Sequence, residues 1–185
     1  MDITKYKNKI KHNYKKYVKA ILDEKSGHIK LDWQKGLETL ASIAEKADIE
    51  WWNTGNILLP LNGIDTDVTD LDFYFHKKDL EAVYDAFQDY IVEPIICGGN
   101  RADTFEYNGL AYINCTICMF SEPLDNLDIP EPVHFGKYAA ANLEIITWKD
   151  YKIKVPPIEL YIKTLEKWGK TGRVQFIRNS LMQII

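Results

Sequence analysis

The sequence predicts an α/β (α+β) fold in which helices flank a mixed β-sheet, with helical segments at both ends of the chain. Apolar residues recur at spacings of three and four near the two ends, as in amphipathic helices. Short apolar and aromatic runs bounded by glycine, proline and asparagine fill the middle, as in strands. The length of 185 residues, with 46% apolar and 27% charged residues, suits one globular domain.

The N-terminal segment, residues 1–47, is expected to form two helices. The first helix is rich in lysine and should end at Gly27. Its apolar side consists of Tyr6, Ile10, Tyr14, Val18 and Ile21. The second helix should run from about 32 to 46, with Trp33, Leu37, Leu40, Ile43 and Ala44 facing inward. The lysine face is either a solvated surface or a basic rim for a phosphate-bearing or acidic partner.

The central segment, residues 48–155, should form the sheet. Strands are predicted at I-E-W-W, ending in the turn N-T-G-N, then at T-D-L-D-F-Y-F and at V-E-P-I-I-C, with a helix over 77–90. Alternation along I-E-W-W should bury one tryptophan of Trp51 and Trp52. Residues 104–120 should form a hairpin that turns at Asn108-Gly109, since this dipeptide is a strong hairpin signal.

The remaining segments complete the predicted domain, residues 1–185. Residues 121–132, with three prolines and four acids, should be a loop, and 143–155 a pair of strands. In the C-terminal segment, residues 156–185, Pro156 and Pro157 should open a helix that ends near Trp168. A last helix should follow Gly169.

Composition limits the classes of partner and compartment. A net charge of −4 argues against nucleic-acid binding through a basic surface. Three cysteines do not make a disulfide framework, and a reducing cytoplasm is the expected location. The first residues lack the apolar segment of a signal peptide, and no run approaches the roughly 20 apolar residues that span a membrane. No membrane partner is therefore expected.

The strand T-D-L-D-F-Y-F carries two acids in an otherwise apolar run. Because side chains alternate along a strand, Asp70, Asp72 and Tyr74 should share one face. Leu71, Phe73 and Phe75 should point the other way, into the core. Two neighbouring carboxylates repel each other, and a divalent metal ion such as Mg²⁺ would relieve that repulsion. Solvation at a sheet edge, or pairing with lysine, is the structural alternative. An EF-hand is excluded because its sixth and twelfth positions would be aspartate and histidine.

The spacing of these acids from an upstream glycine turn resembles the nucleotidyltransferase-fold superfamily. The stretch W-W-N-T-G-N-I-L-L-P-L-N-G-I-D-T-D-V-T-D-L-D-F-Y-F has a glycine turn, then a short helix and an Asp-x-Asp strand. The later Y-K-I-K-V-P-P-I-E-L-Y-I-K-T-L-E-K-W-G-K-T-G-R is similar to the segment that follows in that superfamily. The resemblance covers roughly 49–176 and is greatest to small antibiotic nucleotidyltransferases and nucleotidyltransferase-type toxin–antitoxin proteins.

The resemblance implies a nucleotidyltransferase-like core that binds a nucleoside triphosphate, ATP being the first expectation. Thr54, Gly55 and Asn56 would present backbone N–H groups to phosphate, which a helix N-terminus favours. Asp70 and Asp72 would hold Mg²⁺. Further phosphate contacts are expected from Lys163 and Lys167 on one helix face and from Arg101 in a basic loop, with Arg173 and solvated positions as alternatives.

One position departs from the superfamily pattern. By the predicted hairpin register the third acid falls at Asn114, which cannot accept a proton at neutral pH, and Glu106 on the facing strand could substitute. The expected activity is Mg²⁺-dependent transfer of a nucleoside monophosphate to a hydroxyl acceptor, either a small molecule or a protein. The alternative is a catalytically inactive, antitoxin-like binding or regulatory protein.

The cysteines and histidines carry no predicted role. Cys115 and Cys118 should lie on opposite faces of a strand, which is poor geometry for a zinc or redox pair, and buried structural cysteines are expected. The four histidines share no ligand spacing, so none is assigned to a metal.

Overall fold

The computed structural model describes residues 2–184, and residues 1 and 185 of the predicted domain lie outside this range. Seven α-helices occur in the described part: α1 (Lys7–Lys25), α2 (Trp33–Lys46), α3 (Leu58–Leu61), α4 (Leu80–Phe87), α5 (Lys137–Ala141), α6 (Ile158–Lys167) and α7 (Thr171–Ile184). The strands are β1 (Trp51–Trp52), β2 (Leu71–Phe75), β3 (Ile91–Cys97), β4 (Tyr107–Tyr112), β5 (Thr116–Phe120), β6 (Glu144–Trp148) and β7 (Tyr151–Val155). The predicted α+β class is confirmed.

The main sheet has five strands in the order β1-β2-β5-β4-β3. Strands β2 and β5 are parallel and lie at its centre, while the other neighbours are antiparallel. The second sheet is the predicted pair β6-β7, and a backbone hydrogen bond from Asn53 N–H to Lys154 C=O joins it to the end of β1. The mixed topology brings the Asp-x-Asp strand and β5 side by side.

The two faces of the main sheet differ in chemistry. Leu71, Phe73 and Phe75 of β2 enter the main hydrophobic core, as predicted, together with residues of α2, α4 and α6. The opposite face carries Asp72 and then a compact aromatic cluster made of Trp52, Tyr74, Phe105 and Phe120. Alternation along β2 thus separates a core face from a face that joins carboxylates to aromatic rings.

The N-terminal helices pack directly on the sheet. The buried Asn13 of α1 donates its amide to the carbonyls of Gln88 and Ile91, at 2.8 and 2.9 Å. At the other end of α1, the Glu24 carboxylate accepts from the Thr116 N–H at 3.1 Å and from the Thr116 hydroxyl at 2.8 Å. These contacts fix α1 against the beginnings of both β3 and β5.

Three sequence expectations are wrong. Asn108 and Gly109 lie inside β4, opposite Phe120 and Met119, and the β4–β5 turn is instead formed around Asn114. Both Trp51 and Trp52 are buried, because one packs into the main core and the other into the aromatic cluster. Cys97 is exposed, whereas Cys115 is buried and Cys118 half-buried.

Among residues 2–184, each helix is too short or too polar to cross a lipid bilayer.

Candidate active site

The glycine turn lies at the end of β1 and opens a short helical segment. Gly55 has a φ of +78°, a left-handed conformation that glycine adopts without strain. A Cβ atom at this position would lie 2.7 Å from Oδ2 of Asp72. Residues Gly55–Ile57 form a 3₁₀ turn that continues into α3. Glycine is therefore required here both by the backbone conformation and by the approach of the Asp72 carboxylate.

The two aspartates sit at the start of β2, as predicted. Asp70 immediately precedes the strand and Asp72 is its second residue, and both are half-buried. Burial, together with the negative charge of Asp70, raises the pKa of Asp72 to about 8, although Arg101 opposes the rise. Without a cation, the Asp72 side chain therefore holds a proton at neutral pH.

Cys118 is the third member of this group and was not predicted from the sequence. In the parallel pairing of β2 with β5, Asp72 lies opposite Cys118. The Cys118 thiol lies 3.8 Å from Oδ2 of Asp70. One ligand atom from each of Asp70, Asp72 and Cys118 falls within 4.8 Å of the others. Burial and the two carboxylates raise the pKa of the Cys118 thiol well above its usual value.

Asn114 does not take the predicted third-acid position. It is an exposed turn residue with a φ of +57°, two residues before β5 begins. Asparagine tolerates this left-handed conformation better than most residues, which explains its place in the turn. The position beside Asp72 belongs to Cys118.

Glu106 is also remote from the aspartates. It precedes β4, its N–H donates to the carbonyl of Glu122, and its carboxylate pairs with Lys77. Glu122 lies four residues beyond Cys118, which is about 13 Å along an extended strand. The structure therefore places Glu106 at the opposite end of the sheet, and the prediction that it substitutes for the third acid is corrected.

A chain of hydrogen bonds joins α6 to the aspartates through the glycine turn. The Tyr161 hydroxyl donates to Oδ1 of Asn56 at 2.6 Å, and the Asn56 amide donates to the Thr69 hydroxyl at 3.3 Å. The Thr69 hydroxyl in turn donates to Oδ1 of Asp70 at 3.0 Å. Asn56 thus positions the carboxylate of Asp70 through Thr69, a role that sequence spacing alone did not indicate.

Thr54 has a structural role at the base of the turn. Its buried hydroxyl donates to the carbonyl of His134 at 3.0 Å, and the His134 N–H donates to the Thr164 hydroxyl at 3.1 Å. The His134 ring packs edge-on against Tyr161, and burial lowers its pKa to about 3. The Thr54 side chain is therefore engaged in holding α6 and the turn together.

Two arginines supply positive charge around the site, Arg101 near Asp72 and Arg173 near Tyr161. Arg101, in the loop between β3 and β4, lowers the pKa of Asp72, and its guanidinium lies 5.9 Å from the centre of the Phe105 ring. The Arg101 N–H donates to Oδ1 of the buried Asn108 at 3.3 Å, which fixes the loop. Burial raises the pKa of Tyr161, and the neighbouring charge of Arg173 at the start of α7 opposes this rise.

The predicted lysines lie elsewhere on α6. Lys163 and Lys167 are exposed, whereas Tyr161 and Thr164 of the same helix are buried. At 100° per residue, Lys163 is about 200° and Lys167 about 240° around the axis from Tyr161. Helix geometry therefore turns both lysines away from the face that contacts Asn56, and Arg173 of α7 is nearer to this face.

The residues present fit a hard divalent cation. Asp70 and Asp72 bring two carboxylates to one point, and the glycine at position 55 allows the close approach of the Asp72 oxygen. A cation would offset both the burial of Asp72 and its repulsion from Asp70, the two causes of its raised pKa. The donor set is consistent with Mg²⁺ held by the two aspartates.

Comparison with known proteins shows the fold. No family model and no curated protein matches the sequence. A candidate nucleotidyltransferase from Thermotoga maritima, TM1012, superposes with a TM-score of 0.56 over 84% of this chain and 98% of its own, at 16% identity. The structure of ANT(2")-Ia in complex with adenylyl-2"-tobramycin gives a TM-score of 0.49 at 9% identity, covering 80% of this chain and 87% of that one.

Proposed function

Because the chain has the nucleotidyltransferase fold, we propose that it binds a nucleoside triphosphate with Mg²⁺ and transfers the nucleoside monophosphate to a hydroxyl acceptor. The observation that carries the proposal is the approach of the Asp72 carboxylate to the Gly55 turn, with Asp70 alongside. This arrangement would bring a metal-binding face and a phosphate-binding turn together at one place. ATP is the first candidate nucleotide.

Each group around the site has a part in this proposal. Backbone N–H groups after Gly55 would bind phosphate oxygens. Asp70 and Asp72 would hold Mg²⁺, which supplies charge neutralisation of the triphosphate and polarisation of the reacting phosphoryl group. Arg101 and Arg173 would bind the phosphates from two sides, since guanidinium groups suit phosphate oxygens. Tyr161 and Asn56 would keep Asp70 oriented.

A cleft whose lining includes Thr69, the neighbour of Asp70, is the proposed acceptor site. It has a volume of about 1120 Å³ and lies between the loop after α1 and the loop that precedes β2. Trp33 and Trp148 form an aromatic part of the cleft wall, with ring centroids 5.8 Å apart. Carboxylates outnumber lysines in its lining, which contains Glu24, Asp32, Asp65, Asp67, Lys25 and Lys30. We therefore propose that the acceptor is a small hydroxyl compound that also carries positive charge.

A catalytically inactive binding or regulatory protein is the second candidate function. The observation that favours it is Cys118, because a thiol stands where a third carboxylate would complete the group beside Asp72. A protonated thiol is a poor general base for the acceptor hydroxyl. Such a protein would retain nucleotide affinity without turnover.

Calorimetry tests whether the two aspartates bind the nucleotide through Mg²⁺. ATP with a non-hydrolysable α,β linkage should bind the wild-type protein in the presence of Mg²⁺ and bind much more weakly in EDTA. The double variant Asp70→Asn, Asp72→Asn should lose the Mg²⁺-dependent part of the affinity while remaining folded. Unchanged Mg²⁺-dependent binding in this variant would contradict the site assignment. Pyrophosphate release with a panel of hydroxylated amines then distinguishes the enzyme from the binding protein.

A further inference from the structure

The group beside the glycine turn mixes two kinds of metal ligand. Two of its members are carboxylates, which suit hard cations such as Mg²⁺, and the third is the sulfur of Cys118. Sulfur ligands instead select thiophilic metals, among them Zn²⁺. A Mg²⁺ ion bound by the aspartates would leave the thiol unused, so the full donor set matches a different ion.

We propose that Asp70, Asp72 and Cys118 form a binding site for Zn²⁺, with Cys118 as a direct ligand, and that Zn²⁺ competes there with Mg²⁺. This inference rests on the proposed metal site but does not require nucleotidyl transfer to occur. Zn²⁺ commonly takes three protein ligands and leaves a fourth position for water or a substrate oxygen. The three side chains on β2 and β5 supply that number.

The sulfur–oxygen distance between Cys118 and Asp70 is close to that of tetrahedral coordination. With Zn–S near 2.3 Å and Zn–O near 2.0 Å, sulfur and oxygen ligands of one ion lie about 3.5 Å apart. Cys118 Sγ and Asp70 Oδ2 are 3.8 Å apart, so a small side-chain movement suffices. The third ligand atom, from Asp72, is within 4.8 Å of the other two.

The surroundings restrict the movement of these ligands. Pairing of Asp72 with Cys118 across the central strands fixes the separation of their backbones. Asp70 is held by the Thr69 hydroxyl through Oδ1, which leaves Oδ2 facing the thiol. The neighbouring Arg101 charge opposes cation binding, and a bound nucleotide phosphate would engage it instead.

Cobalt titration provides a test that needs no enzyme activity. The experiment uses the full chain with Cys97→Ser as the reference, because Cys97 is an exposed thiol that could bind metal adventitiously. Co²⁺, as a spectroscopic substitute for Zn²⁺, should give one sulfur-to-metal charge-transfer band per chain, and Zn²⁺ should displace it. Adding Cys118→Ser should abolish the band and weaken Zn²⁺ binding by at least about tenfold, a loss that even outer-shell changes cause at metal sites.

The variants also distinguish this inference from the proposed function. Cys118→Asp should lose the charge-transfer band but bind Mg²⁺ at least as well as the reference protein. This result would show that the site stays folded when the sulfur is removed. A charge-transfer band that survives in the Cys118→Ser protein, or a reference protein with no band, would overturn the zinc site. If Mg²⁺-dependent ATP binding nevertheless persists, only the zinc inference fails. If Asp70→Asn changes neither metal nor nucleotide binding, the proposed site fails as well.

Discussion

Gly55 and Asp72 are in such close contact that a Cβ on the glycine would lie 2.7 Å from the carboxylate oxygen. The two residues come from different elements, the turn after β1 and the second position of β2. Their contact joins the phosphate-binding part of the proposed site to its metal-binding part. A substitution at either residue is therefore expected to affect both functions of the site.

Gly55→Ala should damage the site beyond its effect on stability. The φ of +78° should cost about 1–2 kcal/mol with any L-residue side chain, and the methyl group would also displace the Asp72 carboxylate. Gly27→Ala is the matched control, because Gly27 has a φ of +73° with open space around its Cβ position. Thermal unfolding should show similar losses for the two variants, whereas calorimetry should show loss of Mg²⁺–ATP binding only in Gly55→Ala. Equal Mg²⁺–ATP binding by the two variants would show that the Gly55–Asp72 contact is not needed for nucleotide binding.

The arginines, rather than the lysines of α6, should carry the phosphate contacts. Arg101→Ala and Arg173→Ala should each weaken Mg²⁺–ATP binding by about tenfold or more, since charge-assisted hydrogen bonds contribute about 1.5–3 kcal/mol. Lys163→Ala and Lys167→Ala are the controls and should change the affinity less than about twofold, because these side chains leave the opposite side of the helix. If instead the lysine variants lose affinity and the arginine variants do not, Lys163 and Lys167 contact the phosphates, as the sequence suggested.

Stability of the metal-free protein should depend on Asp72 at alkaline pH. Its pKa is raised from 3.8 to about 8 on folding, so the folded state holds this proton more tightly than the unfolded state. The stabilisation that the Asp72 proton gives to the folded state is complete below about pH 4 and is lost as the pH rises through 8. Asp72→Asn should remove this dependence, so its advantage over the wild type should grow from about pH 4 to pH 9 in urea titrations with EDTA. Saturating Mg²⁺ should reduce the difference, whereas parallel pH profiles in EDTA would contradict the assignment.

Completing the carboxylate group should increase turnover if the protein is an enzyme. Cys118→Asp puts a third acid beside Asp72, and a general base typically contributes about 10²- to 10⁴-fold to the rate. Pyrophosphate release from Mg²⁺–ATP with an acceptor should therefore rise by about two orders of magnitude. Asn114→Asp, in the exposed turn, is the control and should leave the rate unchanged. A gain in Asn114→Asp alone would support the hairpin register that the sequence suggested.

The predicted register of the 104–120 hairpin was wrong because it placed the turn at Asn108-Gly109. Asn108-Gly109 has the composition of a hairpin turn, but a Cβ on Gly109 would lie 2.8 Å from the Cα of Ile95, so the glycine allows close approach of β3. The Asn108 side chain accepts from the Arg101 N–H in the preceding loop. Local propensity was overridden by strand packing, and the turn formed five residues beyond Gly109, around Asn114.

The sequence was more informative where patterns are local. Period-two alternation located the faces of β2. The glycine turn was predicted from the resemblance of the stretch 51–75 to the nucleotidyltransferase-fold superfamily. Cys118 became visible only through pairing between distant strands, which no local pattern specifies. A turn at Asn114 would have put Thr116, Cys118 and Phe120 on one face of β5, and this was the signal available for Cys118.

The parallel pairing of β2 with β5 also has a consequence for the order of folding. Asp72 and Cys118 are neighbours across the centre of the sheet, although the intervening chain includes α4, β3 and β4. Closing a loop of this length costs conformational entropy before the central strands can pair, whereas the β4–β5 hairpin closes locally. We therefore expect the hairpin to form early and the two central strands to pair late in refolding. The proposed metal-binding group would then form only as the sheet is completed, so an added cation should slow unfolding without accelerating the first folding events.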